Sequence, residues 1–162
     1  MPATAPPRHE LGDATVAEFT ATLRGSVVRA DDPGYEAARR TWNHAIDKHP
    51  ALVVRCAGVA DVIRAVGFAR SEGLPLAVRG GGNSIAGFSP CDDGLVIDLS
   101  ALTTVMVDPI HPRAVAEGGA TWADSAHPAQ LHGPAPHGRF APTPGTRGLP
   151  PGGRRGPFDR AP

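Results

Sequence analysis

Ala77-Val78-Arg79-Gly80-Gly81-Gly82-Asn83-Ser84-Ile85-Ala86-Gly87 is the stretch from which the rest of this chain is best read. A short apolar run that favours a strand leads straight into three glycines. Three glycines directly after a strand let the backbone take positive φ and approach a ligand closely. Successive N–H groups freed in this way form an anion-binding nest suited to phosphate. Two standard phosphate motifs do not fit. The dinucleotide fingerprint needs glycine at positions 80, 82 and 85, but position 85 is Ile and no helical pattern follows. The Walker loop needs Gly82 and Gly87 followed by Lys, but position 88 is Phe. Spacing alone therefore leaves two readings open, a phosphate cradle and a glycine-rich surface turn.

Outward from this loop the chain alternates between helical and strand patterns. Asp13 is placed to cap a helix with apolar positions Val16, Phe19 and Leu23. Asp32-Pro33 reads as the cap and first residue of a short helix running toward Trp42. A branched apolar run at 51–55 predicts a strand, and Val59, Val62, Ile63 and Val66 mark one face of a helix that Gly73 would end. Strands are predicted at 75–78, 95–98, 104–107 and 113–116, and a helix opening at Thr121 with Asp124 at capping-box distance. The pattern is a βαβ unit followed by a small meander, so the fold class is α+β with an α/β-like first half.

Composition narrows the function classes. The chain has 162 residues with 16 basic and 16 acidic groups, so it is not built to coat nucleic acid or an anionic membrane. No apolar run of about 18 residues is present to span a bilayer. The start, MPATAPPRHE, lacks the layout of a signal peptide, which makes a cytoplasmic location the expectation. Cys56 and Cys91 stand far apart and read as reduced thiols. His127, His132 and His137 recur at intervals of five, interrupted by prolines, so no metal site is expected. Trp42 and Trp122 read as packing residues. Nothing resembles a Ser-His-Asp triad or a carboxylate pair. The last 35 residues differ from the rest: 16 of them are Pro or Gly, and five Arg face one Asp, net +4, against −4 for residues 1–127. Such a segment buries too little surface to offset its ordering entropy, so disorder is expected over 128–162.

Several stretches fall in register around the glycine loop: Thr41-Trp42-Asn43, then 50–56, 61–66 and Gly73-Leu74-Pro75 before it, with 94–100, Val107-Asp108-Pro109 and Glu117-Gly118-Gly119-Ala120-Thr121-Trp122 after it. This order resembles the N-terminal part of the FAD-binding domain of PCMH-type (vanillyl-alcohol oxidase/p-cresol methylhydroxylase) flavoproteins, in the berberine-bridge-enzyme-like branch of FAD-linked oxidases. The resemblance covers about residues 41–127, with 1–40 as a helical lead-in. It implies an FAD site in which Arg79, Gly80, Gly81, Gly82, Asn83 and Ser84 wrap the pyrophosphate through main-chain amides, with Gly87 and Phe88 near the flavin. It also implies an oxidoreductase that oxidises a small alcohol, amine or sugar by hydride transfer to FAD. No partner beyond a small-molecule substrate is implied, and neither catalytic base nor oligomeric state is legible.

Two departures from the resemblance carry expectations of their own. Many relatives have His, bonded covalently to the flavin, where this chain has Asn83. An amide nitrogen is no comparable nucleophile, so bound FAD is expected to be noncovalent. The resemblance also fades between Ser125 and Gly133, where the family continues into a second flavin loop and a substrate domain. With 15 Arg and one Lys, the chain suggests a GC-rich gene, and such DNA read out of frame yields Pro, Arg, Gly and Ala. A truncated or frameshifted tail is the expectation, and the alternative function is a non-catalytic fragment with weak or no nucleotide binding.

Overall fold

The computed structural model describes residues 11–108, 110, 111 and 113–125. The expected 128–162 tail and the His127 to His137 series lie outside the described residues. In chain order the elements are α1 (Asp13–Thr22), β1 (Ser26–Val28), α2 (Tyr35–Arg39), β2 (Leu52–Arg55), α3 (Val59–Ser71), β3 (Leu76–Arg79), β4 (Leu95–Asp98), β5 (Val105–Asp108) and β6 (Arg113–Ala116). The fold is α+β. Four strands form one mixed sheet in the order β1-β2-β4-β3, and β5 pairs with β6 in a separate hairpin.

The three strands after the glycine loop do not make one meander. β4 slots between β2 and β3 and runs parallel to both, while β1 pairs antiparallel with β2. The reason lies in its side chains. Leu95, Val96 and Ile97 are buried without alternation, and a short run apolar on both faces belongs at the centre of a parallel sheet. One face carries Leu52, Val54, Leu95 and Ile97 against Val16, Phe19, Ala65 and Ala69 of α1 and α3. The other carries Val53, Ala77 and Val96 against Tyr35 and Ala38 of α2. Helices therefore cover both sides of the sheet centre, while the edge strand β3 leaves Leu76 and Val78 exposed.

Helix boundaries follow local chemistry, with some corrections. α3 ends as expected: Gly73 has φ +65°, Leu74 N–H donates to Ala69 O and Gly73 N–H to Arg70 O, a Schellman closure. Thr121 caps the helical turn at 122–125, with Thr121 N–H donating to Asp124 Oδ2 at 2.8 Å. Asp13, by contrast, caps nothing. Gly12 is the N-cap of α1, and Asp13 pairs with Arg29 at 2.7 Å from within the first turn. α2 starts at Tyr35 with Gly34 as N-cap rather than at Pro33, and the Asp32 carboxylate accepts from the Arg29 N–H at 2.7 Å instead of capping a helix. β1 was not expected; at three residues it is too short for alternation to show.

The largest correction concerns α3. Its expected apolar face is mostly outward, with Val59 70% and Ile63 67% exposed and only Val62 partly buried. The face against the sheet is Asp61, Ala65 and Ala69. Small side chains there let the helix backbone sit close to the strands. Asp61 is fully buried and accepts main-chain N–H bonds from Arg24, Gly25 and Ala57 at 3.0, 3.0 and 2.9 Å. It thereby ties the α1–β1 turn to the start of α3. No helix of the described residues is long and apolar enough to cross a membrane.

Candidate functional site

The glycine loop leaves the C-terminal end of β3, next to the end of β4, the edge at which parallel sheets usually bind ligands. Its conformation is set by where its carbonyls go. Gly82 O accepts from Trp42 N–H at 2.9 Å, Ile85 O from Asn43 Nδ2 at 2.9 Å, and Gly87 O from Lys48 Nζ at 3.3 Å. The segment 42–48 thus holds the loop by its acceptors. Gly81 O accepts from Asn83 Nδ2 at 2.8 Å, and Ser84 O closes a turn with Gly87 N–H. In a trans peptide the N–H points opposite to its own C=O. The N–H groups of Asn83 and Ala86, whose peptide carbonyls face 42–48, are therefore turned away from it. Among the hydrogen bonds of the described residues, none is donated by the main-chain N–H of any residue from Gly80 through Ala86.

Glycine is required at two of these positions for stated reasons. Gly82 has φ +71° and Gly87 φ +74°, and a Cβ at Gly87 would meet Ile46 at 2.9 Å. At Gly80 a Cβ would lie 2.5 Å from Gly118 O, so the loop is pressed against the turn that follows β6. Ser84 Oγ accepts from Phe88 N–H at 2.9 Å and shapes the loop's exit. Phe88 is 83% exposed, and Ile85 is also exposed. The loop therefore offers a row of donors with apolar side chains beside it. That donor set suits a pyrophosphate, which is all acceptor.

The remaining candidates sort clearly. Trp42 is 71% exposed, which corrects the expectation of a packing residue; its contribution to the loop is its main-chain N–H. Trp122 is half-buried, with an indole Nε1 that is buried and unpartnered. Cys56 is buried and Cys91 half-buried, both free. Burial, with some help from Asp61 and Asp98, pushes the Cys56 thiol up to about 11, and burial raises Cys91 too, so neither is a ready nucleophile. His111 Nδ1 lies 2.9 Å from Asp108 Oδ2, and the same carboxylate accepts from the Ile110 and His111 N–H groups, closing the β5–β6 turn. Among the described residues no cluster could hold a metal ion. Three contributors escaped the reading of the sequence. Asn43 gave no sign beyond its place in a matching stretch, Lys48 none at all, and Asp98 stood only as the last residue of a predicted strand in another matching stretch.

A family profile described as an FAD binding domain matches residues 50–147 of the chain. The chain belongs to this FAD-binding family. Among proteins similar to this FAD-binding chain is FAD-linked oxidoreductase hasG of Aspergillus fumigatus, 42% identical over 70% of this chain and 24% of that protein. Another is (R)-6-hydroxynicotine oxidase of Paenarthrobacter nicotinovorans, 31% identical over 69% of this chain and 24% of its own length. Among solved structures, 6-hydroxy-D-nicotine oxidase from Arthrobacter nicotinovorans superposes with a TM-score of 0.74 at 29% identity, covering 84% of this chain and 29% of that one. These neighbours are FAD-linked oxidoreductases of the PCMH-type, berberine-bridge-enzyme-like group. The FAD-binding chain spans about a quarter of the length of the curated relatives it matches.

Proposed function

We propose that the chain contributes the pyrophosphate-binding part of an FAD site in a flavin-linked oxidoreductase of small molecules. The observation that carries this reading is the loop's polarity: its carbonyls are tied down by Trp42, Asn43 and Lys48, and the N–H groups of Gly80 to Ala86 are left as donors. When bound, FAD supplies the hydride acceptor for oxidation of a small alcohol, amine or sugar. The chain's own residues bind and orient. Gly80, Gly81, Gly82, Asn83 and Ser84 hold the pyrophosphate through main-chain N–H groups, Arg79 leads the strand into them, and Gly87 and Phe88 stand on the flavin side. An amine is the first substrate class to try, since a similar protein, found both by sequence and by structure, is named for oxidation of a hydroxynicotine.

FAD is held here without a covalent bond. Asn83 stands where covalent relatives use an imidazole, and its Nδ2 is engaged with Gly81 O at 2.8 Å. The test is acid precipitation of FAD-loaded protein: a colourless washed pellet is expected, and a yellow pellet refutes noncovalent attachment. Exposed Met106, Ile110 and Val115 on the β5–β6 hairpin favour a second reading, a non-catalytic fragment that binds nucleotide weakly or not at all. Flavin absorbance of the purified chain separates the two. Retained flavin that bleaches with substrate supports the first reading, and a colourless protein that ignores added FAD supports the second.

A further inference from the structure

We infer that Arg79 is a positioning residue whose guanidinium holds Gly82 in the left-handed conformation that presents the loop's N–H groups; this rests on the reading of the loop as the pyrophosphate cradle. Arg79 is the last residue of β3, directly across from Asp98, the last residue of β4. Its Nη1 donates to Ala38 O at 2.6 Å and lies 3.5 Å from Asp98 Oδ2. Ala38 O belongs to the final turn of α2, where helix carbonyls lack an internal partner. One side chain therefore joins the end of α2, the end of β4 and the loop.

The contact with the loop sets the conformation. A Cβ on Gly82 would lie 3.3 Å from Nη2 and 3.4 Å from Nε of Arg79. The guanidinium thus occupies the space beside the Gly82 Cα, while Trp42 N–H holds the Gly82 carbonyl at 2.9 Å. Gly82 is gripped between a hydrogen bond and a planar cation, and its φ of +71° follows from that grip. Nε is buried and has no hydrogen-bond partner. An ion pair with Asp98 alone would not need to leave a buried N–H unsatisfied; the position is explained by the shape of the space under Gly82. Lysine keeps the charge but lacks the flat, forked head needed to reach Ala38 O and fill that space together.

The test uses the ¹⁵N-labelled full chain without ligand, as wild type, Arg79→Met, Arg79→Lys and Gly82→Ala. Amide shifts and ¹⁵N relaxation are read for Gly80 to Ala86 and, as a control on folding, for β2 and β4. Both Arg79 variants are expected to lose order in the loop while the strands keep wild-type shifts, with no rescue by lysine. Gly82→Ala adds a methyl beside the guanidinium at a φ of +71°, strained for any L residue, and is expected to disturb the same amides; Arg79→Lys, the milder change, decides the matter if Arg79→Met fails to fold. Wild-type loop order in Arg79→Met, full rescue by Arg79→Lys, or an undisturbed loop in Gly82→Ala overturns the inference. An FAD titration of the same proteins is expected to show binding weakened at least about ten-fold by each variant, since preorganisation is lost. If the wild type binds no FAD, the proposed function fails, and the loop-order result still decides the role of Arg79.

Discussion

Asp61 shows what a single residue contributes to this fold. Burial by itself raises the pKa of its carboxyl, but the Arg24, Ala57 and Gly25 amides, with Arg64 nearby, outweigh burial and hold it below the usual aspartate range. Its folded pKa is thus below the unfolded value near 3.9, so the stability it contributes is complete above about pH 4 and is lost as the pH falls through the folded value. Asp61→Ala would remove three part-buried main-chain hydrogen bonds to a carboxylate and is expected to cost about 2 kcal/mol or more, read as a drop in denaturation midpoint. Asp61→Asn is expected to flatten the acid limb of the stability curve. An unchanged midpoint in Asp61→Ala would contradict the clamp. At this scale the sequence was hard to read: an aspartate in the first turn of a helix looks like an ordinary favourable charge, and nothing local says that two amides of the distant α1–β1 turn converge on it.

At the scale of elements, α3 offers the sharpest contrast between pattern and packing. Its bulky residues at 59, 63 and 66 share one face, as their spacing indicates, yet the alanines do the burying. Helical periodicity identifies a face but not which neighbour it meets, and a helix lying close to a sheet selects for small side chains. Ile63→Glu is therefore expected to change stability by less than about 0.5 kcal/mol, whereas Ala65→Leu overpacks the sheet contact and costs about 1–3 kcal/mol. Chemical denaturation of the two variants measures both, and the reverse ranking would mean the helix is turned otherwise. The join between sheet and hairpin is just as close. A Cβ on Gly119 would sit 1.9 Å from Leu99 O and one on Gly80 2.5 Å from Gly118 O. Gly119→Ala is accordingly expected to lower the thermal midpoint and to shift amides of both Leu99 and the glycine loop; shifts confined to the hairpin would contradict that coupling. The strands other than β1 were legible from short apolar runs, several bounded by Gly or Pro. Their order was not, because Leu95 to Asp98 reads alike in a central or a peripheral strand until its burial on both faces is known.

For the whole molecule, the identity of the fold came from motifs in register rather than from any single signal, and the family match over residues 50–147 agrees with that reading. The glycines of the loop were visible at once. What the sequence could not display was the scaffold behind them, since Trp42, Asn43 and Lys48 act on the loop from some 40 residues away, and Asn43 and Lys48 do so only through side-chain nitrogens. The proposed FAD site therefore rests on one arrangement, carbonyls held back and N–H groups presented to a pyrophosphate. Titration of the ¹⁵N-labelled chain with FAD, followed by amide spectra, tests it most directly. Saturable shifts concentrated on Gly80 to Ala86 are expected, reproduced in part by ADP, which carries the pyrophosphate without the flavin. Saturable FAD binding that leaves those amides unmoved, or no binding at all, would contradict it.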